Sequence, residues 1–454
     1  MIKKNDICKI KIDSLVYGGA GISKLDDFVI FTDDAAPGDE VEVKLYDVRK
    51  NFAKASIEQI ITPSDVRKKP DCSLANTCGG CQWSHIEYEA QLKIKEDIVK
   101  DTLKKIGNIE APVLPIIHGD KTTEYRAKTQ FPVSQTKVSR RFLAGYYKKS
   151  SHELVNIKYC PAQPEIINKI TEYFREEAQR AELTGYNERS RQGLIRHLVF
   201  RYSDTHENLT LIMVVNRNRV EDNFVDFAKK LYNRFDELTG VLVNYNTKAN
   251  NAILGEKTEL IVGDSYIEET IDDKVFKISA GSFFQVNMPV AKKLFNTLKE
   301  IISKNFKKPT LLDAYAGVGS FAVLLSDICS NITAIESFPQ AVEDGLDNIK
   351  NNNINNINYI KGDAGKELTI LAEEGKTFEV VILDPPRKGC EPEAIEAVAQ
   401  IAEKMVIYVS CNPSTLARDL KILETKGFKV KSLQPVDIFC NTYHIETIAV
   451  LDRI

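Results

Sequence analysis

The chain reads as a multidomain α/β protein: a small N-terminal β-barrel, a central α+β region with a cysteine cluster, and a C-terminal doubly wound sheet. Three observations predict this. Its 454 residues exceed what one hydrophobic core usually holds, so two or three domains are expected. The opening of the chain alternates short apolar runs with turn signals, which suits a small all-β unit. From about Lys292 onward, strands alternate regularly with helical stretches, the pattern of a mostly parallel sheet. The expected division is 1–61, 62–280 and 281–454.

In the first part, "DICKIKIDSLV", "FVIFTD" and "EVEVKLYDV" supply strands, and "YGGAGI" and "AAPGDE" supply turns. Small barrels of this kind often bind oligonucleotides. Thr62–Pro70, with two prolines and several charges, is expected to be a linker. The cysteine-rich "CSLANTCGGCQW" comes next, then a helix from Tyr88 to Ile106. Strands "RAKTQFPV", "LIRHLVFRY" and "LTLIMVV" surround a helix near Glu165–Glu177. The last part offers "TLLDAY", "NITAIE", "NYIKGD", "FEVVILD" and "MVIYVS" as parallel strands. "FKVKSLQPVDIF" and "HIETIAVL" follow as an antiparallel hairpin at the sheet edge. The asparagine-rich patch Asn348–Asn358 reads as biased composition and a polar helix end.

With 43% hydrophobic and 28% charged residues, the composition is that of a soluble globular protein. No apolar run has the length of a membrane span and no signal-peptide core is present, so a cytoplasmic protein without membrane association is expected. A reducing cytosol leaves the nine cysteines as thiols for metal ligation, catalysis or packing. The net charge of −3 excludes a uniformly basic protein. The charge is nevertheless sorted: Lys121–Ser150 holds eight Lys/Arg against one acid, and Arg189–Arg219 six against two. Such segments can present a basic face to nucleic-acid phosphates.

"LLDAYAGVGSFAV" (Leu311–Val323) is a strand running into a glycine turn and a helix, a place for a nucleotide. Glu336, closing the next strand, is placed for ribose hydroxyls. A dinucleotide and S-adenosylmethionine both fit. Asp313 before the turn, where a cationic ligand is welcome, and the missing third glycine favour the second. Asp363 ends the third strand, where an adenine can be read, and Asp384 in "VVILDPPRKG" ends the fourth, in the ligand crevice. Cys411 in "MVIYVSCNPSTLARD" ends the fifth strand and faces the same crevice.

That placement has a chemical use. Carbon 5 of uracil is a poor nucleophile, but a thiolate added at carbon 6 makes an enolate whose carbon 5 accepts a methyl group. A base must then take the proton from carbon 5. One cysteine and one carboxylate facing one ring suffice, and Glu446 in "TYHIET" offers the carboxylate.

Cys72, Cys78 and Cys81 are spaced C-x5-C-x2-C, with Gly79 and Gly80 permitting a tight turn, and Cys160 in "KYCPAQ" is the candidate fourth ligand. The three-plus-one spacing suits an iron–sulfur cluster better than a zinc ribbon, though zinc remains open. Cys8, Cys329, Cys390 and Cys440 are expected to pack, as are Trp83 and His85.

"DAYAGVGSF", "LDPPRKG", "SCNPSTLARD" and "HIET" together resemble the RNA uracil-5-methyltransferase family. "SLVYGGAGI" and "AAPGDEVEV" are similar to its TRAM module, an OB-like RNA-binding barrel. The resemblance implies a Rossmann-like methyltransferase domain, Cys411 as nucleophile and Glu446 as base. It also implies that Gln285 (in "SAGSFFQVN"), Tyr315, Ser320, Glu336, Asp363 and Asp384 hold S-adenosylmethionine. Cys72, Cys78, Cys81 and Cys160 would carry a four-iron four-sulfur cluster. Arg126, Lys128, Arg196 and Arg201, in "YRAKTQF" and "LIRHLVFR", become candidates for RNA contacts. The implied substrate is large-subunit ribosomal RNA, with transfer RNA the alternative and no obligate protein partner evident. Arg387 after the double proline disagrees with cytosine-5 and exocyclic-amine methyltransferases. A non-catalytic iron–sulfur RNA-binding protein is the remaining rival, and both Cys411 and Glu446 speak against it.

Overall fold

The computed structural model describes residues 2–454. Near the N-terminus, Ile7–Lys11 pairs with Glu40–Val48, which pairs in turn with Phe52–Thr62, Phe28–Thr32, Gly21–Leu25 and Ser14–Leu15. The first and last strands of that order are joined by Ile12 and Asp13 alone. Ile12 N donates to Asp39 O and Asp13 N to Ile22 O, both at 2.9 Å, so the sheet closes on itself as a barrel. Alternation of Val41, Val43 and Leu45 fills its interior. The expected linker is anchored, because Arg67 donates to the buried Asp39 carboxylate at 2.8 Å.

The helix Tyr88–Thr102 ends in a π-helical turn, Leu103–Gly107. The central sheet runs in the order Lys257–Gly263, Leu238–Tyr245, Asn208–Val215, Ile195–Ser203, Lys128–Gln135, Phe142–Tyr147, Leu154–Asn156. Period-two alternation sorts its faces. Leu198, Phe200, Leu211 and Met213 pack on the helices Glu165–Arg180 and Asp222–Tyr232. Val199, Ile212 and Val214 turn the other way, toward Ala280. A hairpin of Tyr266–Ile271 and Lys274–Ser279 shares its core with the helix Met288–Asn305 and the last sheet.

That last sheet has strands β1 (Thr310–Ala314), β2 (Asn331–Glu336), β3 (Ile357–Lys361), β4 (Phe378–Leu383), β5 (Ala402–Ser410), β6 (Phe428–Val436) and β7 (Glu446–Arg453). The order is β3-β2-β1-β4-β5-β7-β6, parallel through β5, with β7 antiparallel to both its neighbours. Helices α1 (Ser320–Leu325), α2 (Pro339–Asn351), α3 (Ala364–Glu373), α4 (Pro392–Ile401) and α5 (Pro413–Thr425) make the crossovers. No helix among the described residues is long and apolar enough to cross a membrane.

The asparagine-rich patch corrects its reading as mere composition. Asn348, fully buried, accepts from Lys277 N at 2.7 Å and donates to the Lys277 and Val318 carbonyls. Asn352, one turn later, accepts from Val275 N at 2.9 Å and donates back to Val275 O. Two side-chain amides thus pair the free edge of strand Lys274–Ser279, as a neighbouring strand otherwise would.

The loop from Asp437 to Ile445, between β6 and β7, is held from outside its own sheet. Lys95 Nζ lies 2.5 Å from Asp437 Oδ1, both side chains wholly buried, and Tyr88 Oη donates to Oδ2 at 2.7 Å. Gln91 Nε2 donates to Asn441 Oδ1 at 3.0 Å and Trp83 N to Asn441 O at 2.9 Å. Removing one member of a buried pair strands the other charge without water. Asp437→Ala is therefore expected to lower unfolding stability by about 3–5 kcal/mol, read from urea denaturation. A loss of a few tenths would mean that the pair carries little of the loop's anchorage.

Candidate active site

The crevice lies at the carboxyl ends of β1, β2, β4 and β5. Asp313 is fully buried on β1. Its Oδ2 accepts from Ala322 N in α1 at 3.1 Å, while Oδ1 has no hydrogen-bond partner. Burial, and then Asp384, push this carboxyl well above its ordinary pKa. The turn after β1 needs left-handed backbone at Tyr315 (φ 70°), Gly317 (φ 61°) and Gly319 (φ 81°). At Tyr315 that conformation is strained. No protein atom lies within 4 Å of where a Gly317 Cβ would stand, so space opens beside the loop. Glu336 at the end of β2 accepts from Gly317 N at 2.9 Å and from Ser337 N and Phe338 N, both at 2.7 Å.

Other expected donor-site residues have mixed placements. Ser320 opens α1, half-buried. Asp363 is exposed and caps α3, accepting from Lys366 N at 3.2 Å, so its carboxylate already has a structural partner. Gln285 is half-buried on the loop before the helix Met288–Asn305. Asp344 of α2 clamps that loop's start, accepting from Ser279 N at 2.9 Å and Ser282 Oγ at 2.5 Å.

Asp384 follows β4, half-buried, and burial raises its carboxyl to about 7. The β5–β7 ladder ends with Ser410 opposite Thr447. Just past that end, Cys411 follows Ser410 and Glu446 precedes Thr447, near enough that the Glu446 charge acts on the Cys411 thiol. Glu446 is 7% exposed and its Oε1 has no partner. Burial and then Asp384 raise its pKa, with Arg387 opposing. The Cys411 thiol is pushed up to about 12 by burial and by the Glu446 and Asp384 charges, again opposed by Arg387. The turn bearing Asp384 is braced to the Cys411 turn. Asn412 Nδ2 donates to Arg387 O at 3.1 Å, and Cys390 N to Asp419 Oδ2 at 3.0 Å.

A cleft of about 680 Å³ runs from Arg387 and His444 along the central sheet, lined among others by Arg126, Lys128 and Arg196. Burial, and then Arg201, lower the Lys128 pKa to about 7. Arg196 is mostly buried and donates to the carbonyls of Asn246 (2.7 Å) and Lys248 (3.0 Å). Arg126 lies against the rings of Tyr125 and Tyr146. Arg201 departs from the expectation of an RNA contact. It is 3% exposed and its guanidinium donates to the Ser282 carbonyl, so its charge is spent under the Gln285 loop.

Cys72, Cys78, Cys81 and Cys160 line one small cavity, with Leu74, Ile157 and Tyr159 among its apolar walls. Asn168 Oδ1 holds the Cys160 N–H at 2.9 Å. Burial raises the thiols of Cys78, Cys81 and Cys160. Among the described residues, no three His, Cys, Asp or Glu side chains are gathered so as to hold a metal ion. Trp83 and His85 pack as expected: the indole is buried and His85 Nε2 lies 3.2 Å from Ala35 O.

Residues 87–454 match the sequence model of the family described as tRNA (Uracil-5-)-methyltransferase, and residues 3–57 match the TRAM domain. The chain belongs to that family. It is 34% identical over 449 residues to an uncharacterized RNA methyltransferase of Bacillus cereus, covering 99% of this chain and 97% of the relative. Identity to another, from Clostridium acetobutylicum, is 35% over 456 residues, covering 100% and 98%. The fold is similar to that of a Pyrococcus abyssi tRNA (uracil-54, C5)-methyltransferase in complex with S-adenosyl-L-homocysteine. There the TM-score is 0.77 and the identity 26%, over 98% of this chain and 99% of that one. The protein is thus an S-adenosylmethionine-dependent RNA (uracil-5-)-methyltransferase.

The residues at the crevice suit that donor. Asp313 and Asp384 have carboxyls raised by burial, and a cation bound beside them would favour their ionised forms. Tyr17, Asp344 and the Lys95–Asp437 pair were missed in the sequence, because each acts on a partner far away in the chain. A cation favours the ionised carboxylates, so donor affinity should rise with pH through the Asp384 range near about 7. Titration calorimetry at pH 6 to 8 is expected to show this for S-adenosylmethionine and far less for S-adenosylhomocysteine, which lacks the sulfonium charge. Equal slopes for both would place Asp384 away from the sulfur.

Proposed function

We propose that the chain methylates carbon 5 of a specific uridine in structured RNA through a covalent Cys411–uracil adduct. The observation that supports this reading is the gathering of Cys411, Glu446 and Asp384 beyond the Ser410–Thr447 end of the ladder, where the charges of both carboxylates act on the Cys411 thiol. S-Adenosylmethionine supplies a methyl group on a sulfonium. Gln285, Tyr315, Glu336 and Asp384, with Ser320 and Asp363 at the margin, are its proposed contacts. The Cys411 thiolate adds to carbon 6, and the displaced ring electrons make carbon 5 nucleophilic. After methylation there, the Glu446 carboxylate takes the carbon-5 proton. The electron pair left behind re-forms the carbon 5–carbon 6 double bond as the carbon 6–sulfur bond breaks and the thiolate leaves. A raised Glu446 pKa suits this step, since proton removal from carbon needs a stronger base than an exposed glutamate. The target base flips out of its stack, because both ring faces must be reached.

In this reading residues 1–61, 62–280 and 281–454 are the TRAM barrel, the RNA-binding middle and the catalytic part. The protein works in the cytoplasm. Arg126, Lys128 and the exposed edge of Arg196 line the RNA path; Arg201 supports the donor loop instead. Cys72, Cys78, Cys81 and Cys160 hold a four-iron four-sulfur cluster as a structural brace. The support is an all-thiol set around one apolar cavity, since a cluster needs its sulfurs spread around a core. Anaerobically purified protein is expected to contain iron and acid-labile sulfide in equal amounts, and Cys160→Ser to lose both. Zinc, or no metal, in the intact protein would remove the cluster from the reading.

The substrate proposed is large-subunit ribosomal RNA, which the barrel together with the four-cysteine set favours. Transfer RNA is the second reading, favoured by the likeness to the Pyrococcus abyssi enzyme. Transcripts of each carrying 5-fluorouridine test both, because fluorine cannot leave as a proton and the adduct stalls. A denaturing-gel shift is expected for ribosomal RNA and should vanish in Cys411→Ala, whose turnover falls on the order of a thousandfold or more. Glu446→Gln is expected to accumulate adduct on ordinary RNA. A shift with transfer RNA alone would reassign the substrate, and a shift surviving in Cys411→Ala would overturn the nucleophile.

A further inference from the structure

The N-terminal barrel does more than flank the crevice. Its "YGGAG" turn reaches the Cys411 loop, 394 positions away in sequence: Tyr17 Oη donates to the Cys411 carbonyl at 2.9 Å. That carbonyl lies in a gap between two regular elements. The β5–β7 ladder stops at Ser410, and the first bond of α5 is accepted by Asn412, from Leu416 N at 3.0 Å. The peptide after the proposed nucleophile is thus held by neither the sheet ladder nor the helix: Asn412 N donates to the neighbouring Ser410 Oγ at 3.2 Å, and the Cys411 carbonyl takes its hydrogen bond from a side chain of another domain.

The contact is built on both sides. The Tyr17 ring packs edge-on against Tyr443, with centroids 5.7 Å apart and planes at 87°. Tyr443 stands on the Asp437–Ile445 loop, three residues before Glu446. Trp83 Nε1 donates to Gly19 O at 3.3 Å, which ties down the base of the same turn. Gly19 has φ 91°, and a Cβ there would stand 3.0 Å from Tyr443 Cδ1, so the turn sits against that ring with no room for a side chain. Through one hydroxyl and one ring, Tyr17 touches the chain segments that carry both Cys411 and Glu446.

We propose that Tyr17 is a positioning residue for methyl transfer, holding the Cys411 peptide and, through Tyr443, the approach to Glu446 at their mutual spacing. This rests on the reading of Cys411 as nucleophile. The barrel therefore contributes to the chemical step in addition to any grip it has on RNA.

The test is Tyr17→Phe in the full chain, which keeps the ring against Tyr443 and removes only the hydroxyl. The single-turnover methylation rate at saturating RNA and donor is expected to fall about five- to tenfold, the equivalent of one net hydrogen bond. The rate of adduct formation on 5-fluorouridine RNA should fall in parallel. KM for RNA and for S-adenosylmethionine should stay within about twofold, a split that an altered RNA grip or a loosened fold would not give. Gly19→Ala, which presses on Tyr443 without touching the hydroxyl, should reduce the same rate. An unchanged Tyr17→Phe rate, or a loss residing wholly in KM for RNA, would overturn the proposal. Cys411→Ala, run alongside, separates the two readings. If its adduct vanishes while Tyr17→Phe is unaffected, the positioning role fails and the nucleophile stands. If its adduct persists, the underlying mechanism fails first.

Discussion

A lysine and an aspartate, both without exposed surface, hold this molecule's parts in register. Lys95 belongs to the helix that follows the cysteine segment, and Asp437 to the loop that returns the chain into the catalytic sheet. A buried pair of charges tolerates little displacement, since separating them leaves each without water. Tyr88 and Gln91 on the same helix, and Trp83 before it, bond to the loop as well. The loop leads into Glu446, the first residue of β7, so a helix outside the sheet anchors the chain that enters the strand carrying that carboxylate. The same segment carries Trp83, which holds the barrel turn. One anchorage thus orients the barrel, the loop and the crevice together.

Around this frame the crevice is electrostatically unsatisfied. Asp313, Asp384 and Glu446 each have pKa values raised by burial, and Asp313 and Glu446 each keep a carboxyl oxygen without a hydrogen-bond partner. A fold gains nothing from such crowding, since ionised carboxylates desolvated side by side oppose compaction. In the proposed reaction a cationic donor and a proton from the substrate would relieve the arrangement. Burial, and then the Glu446 and Asp384 charges, raise the Cys411 thiol pKa, and Arg387 is the nearby cation acting against that.

Much of this was legible in the sequence. The strands from "TLLDAY" to "MVIYVS", and the terminal hairpin, emerge as expected, because apolar periodicity and strand-end motifs are local signals. Cys411 and Glu446 were named from their motifs, and the two flank the Ser410–Thr447 end of the ladder. Other residues misled. Arg201 sits in a basic segment, yet it is buried beneath the Gln285 loop on a backbone carbonyl. Asn348 and Asn352 lie in a low-complexity patch, yet they pair a strand edge. Composition records the type of side chain, and the direction in which it points is settled by the pairing partner across the fold.

By itself the sequence determined the order of barrel, central region and doubly wound sheet, and the residue types fit for methyl transfer to uracil. These follow from periodicity and from spacing within a few residues. The tertiary structure alone decided that Tyr17 would bond to Cys411 and that Lys95 would neutralise Asp437. Contacts between residues hundreds of positions apart leave no periodic trace. Their partners meet only after the chain has buried its apolar surface, and the polar groups carried inside must then find one another.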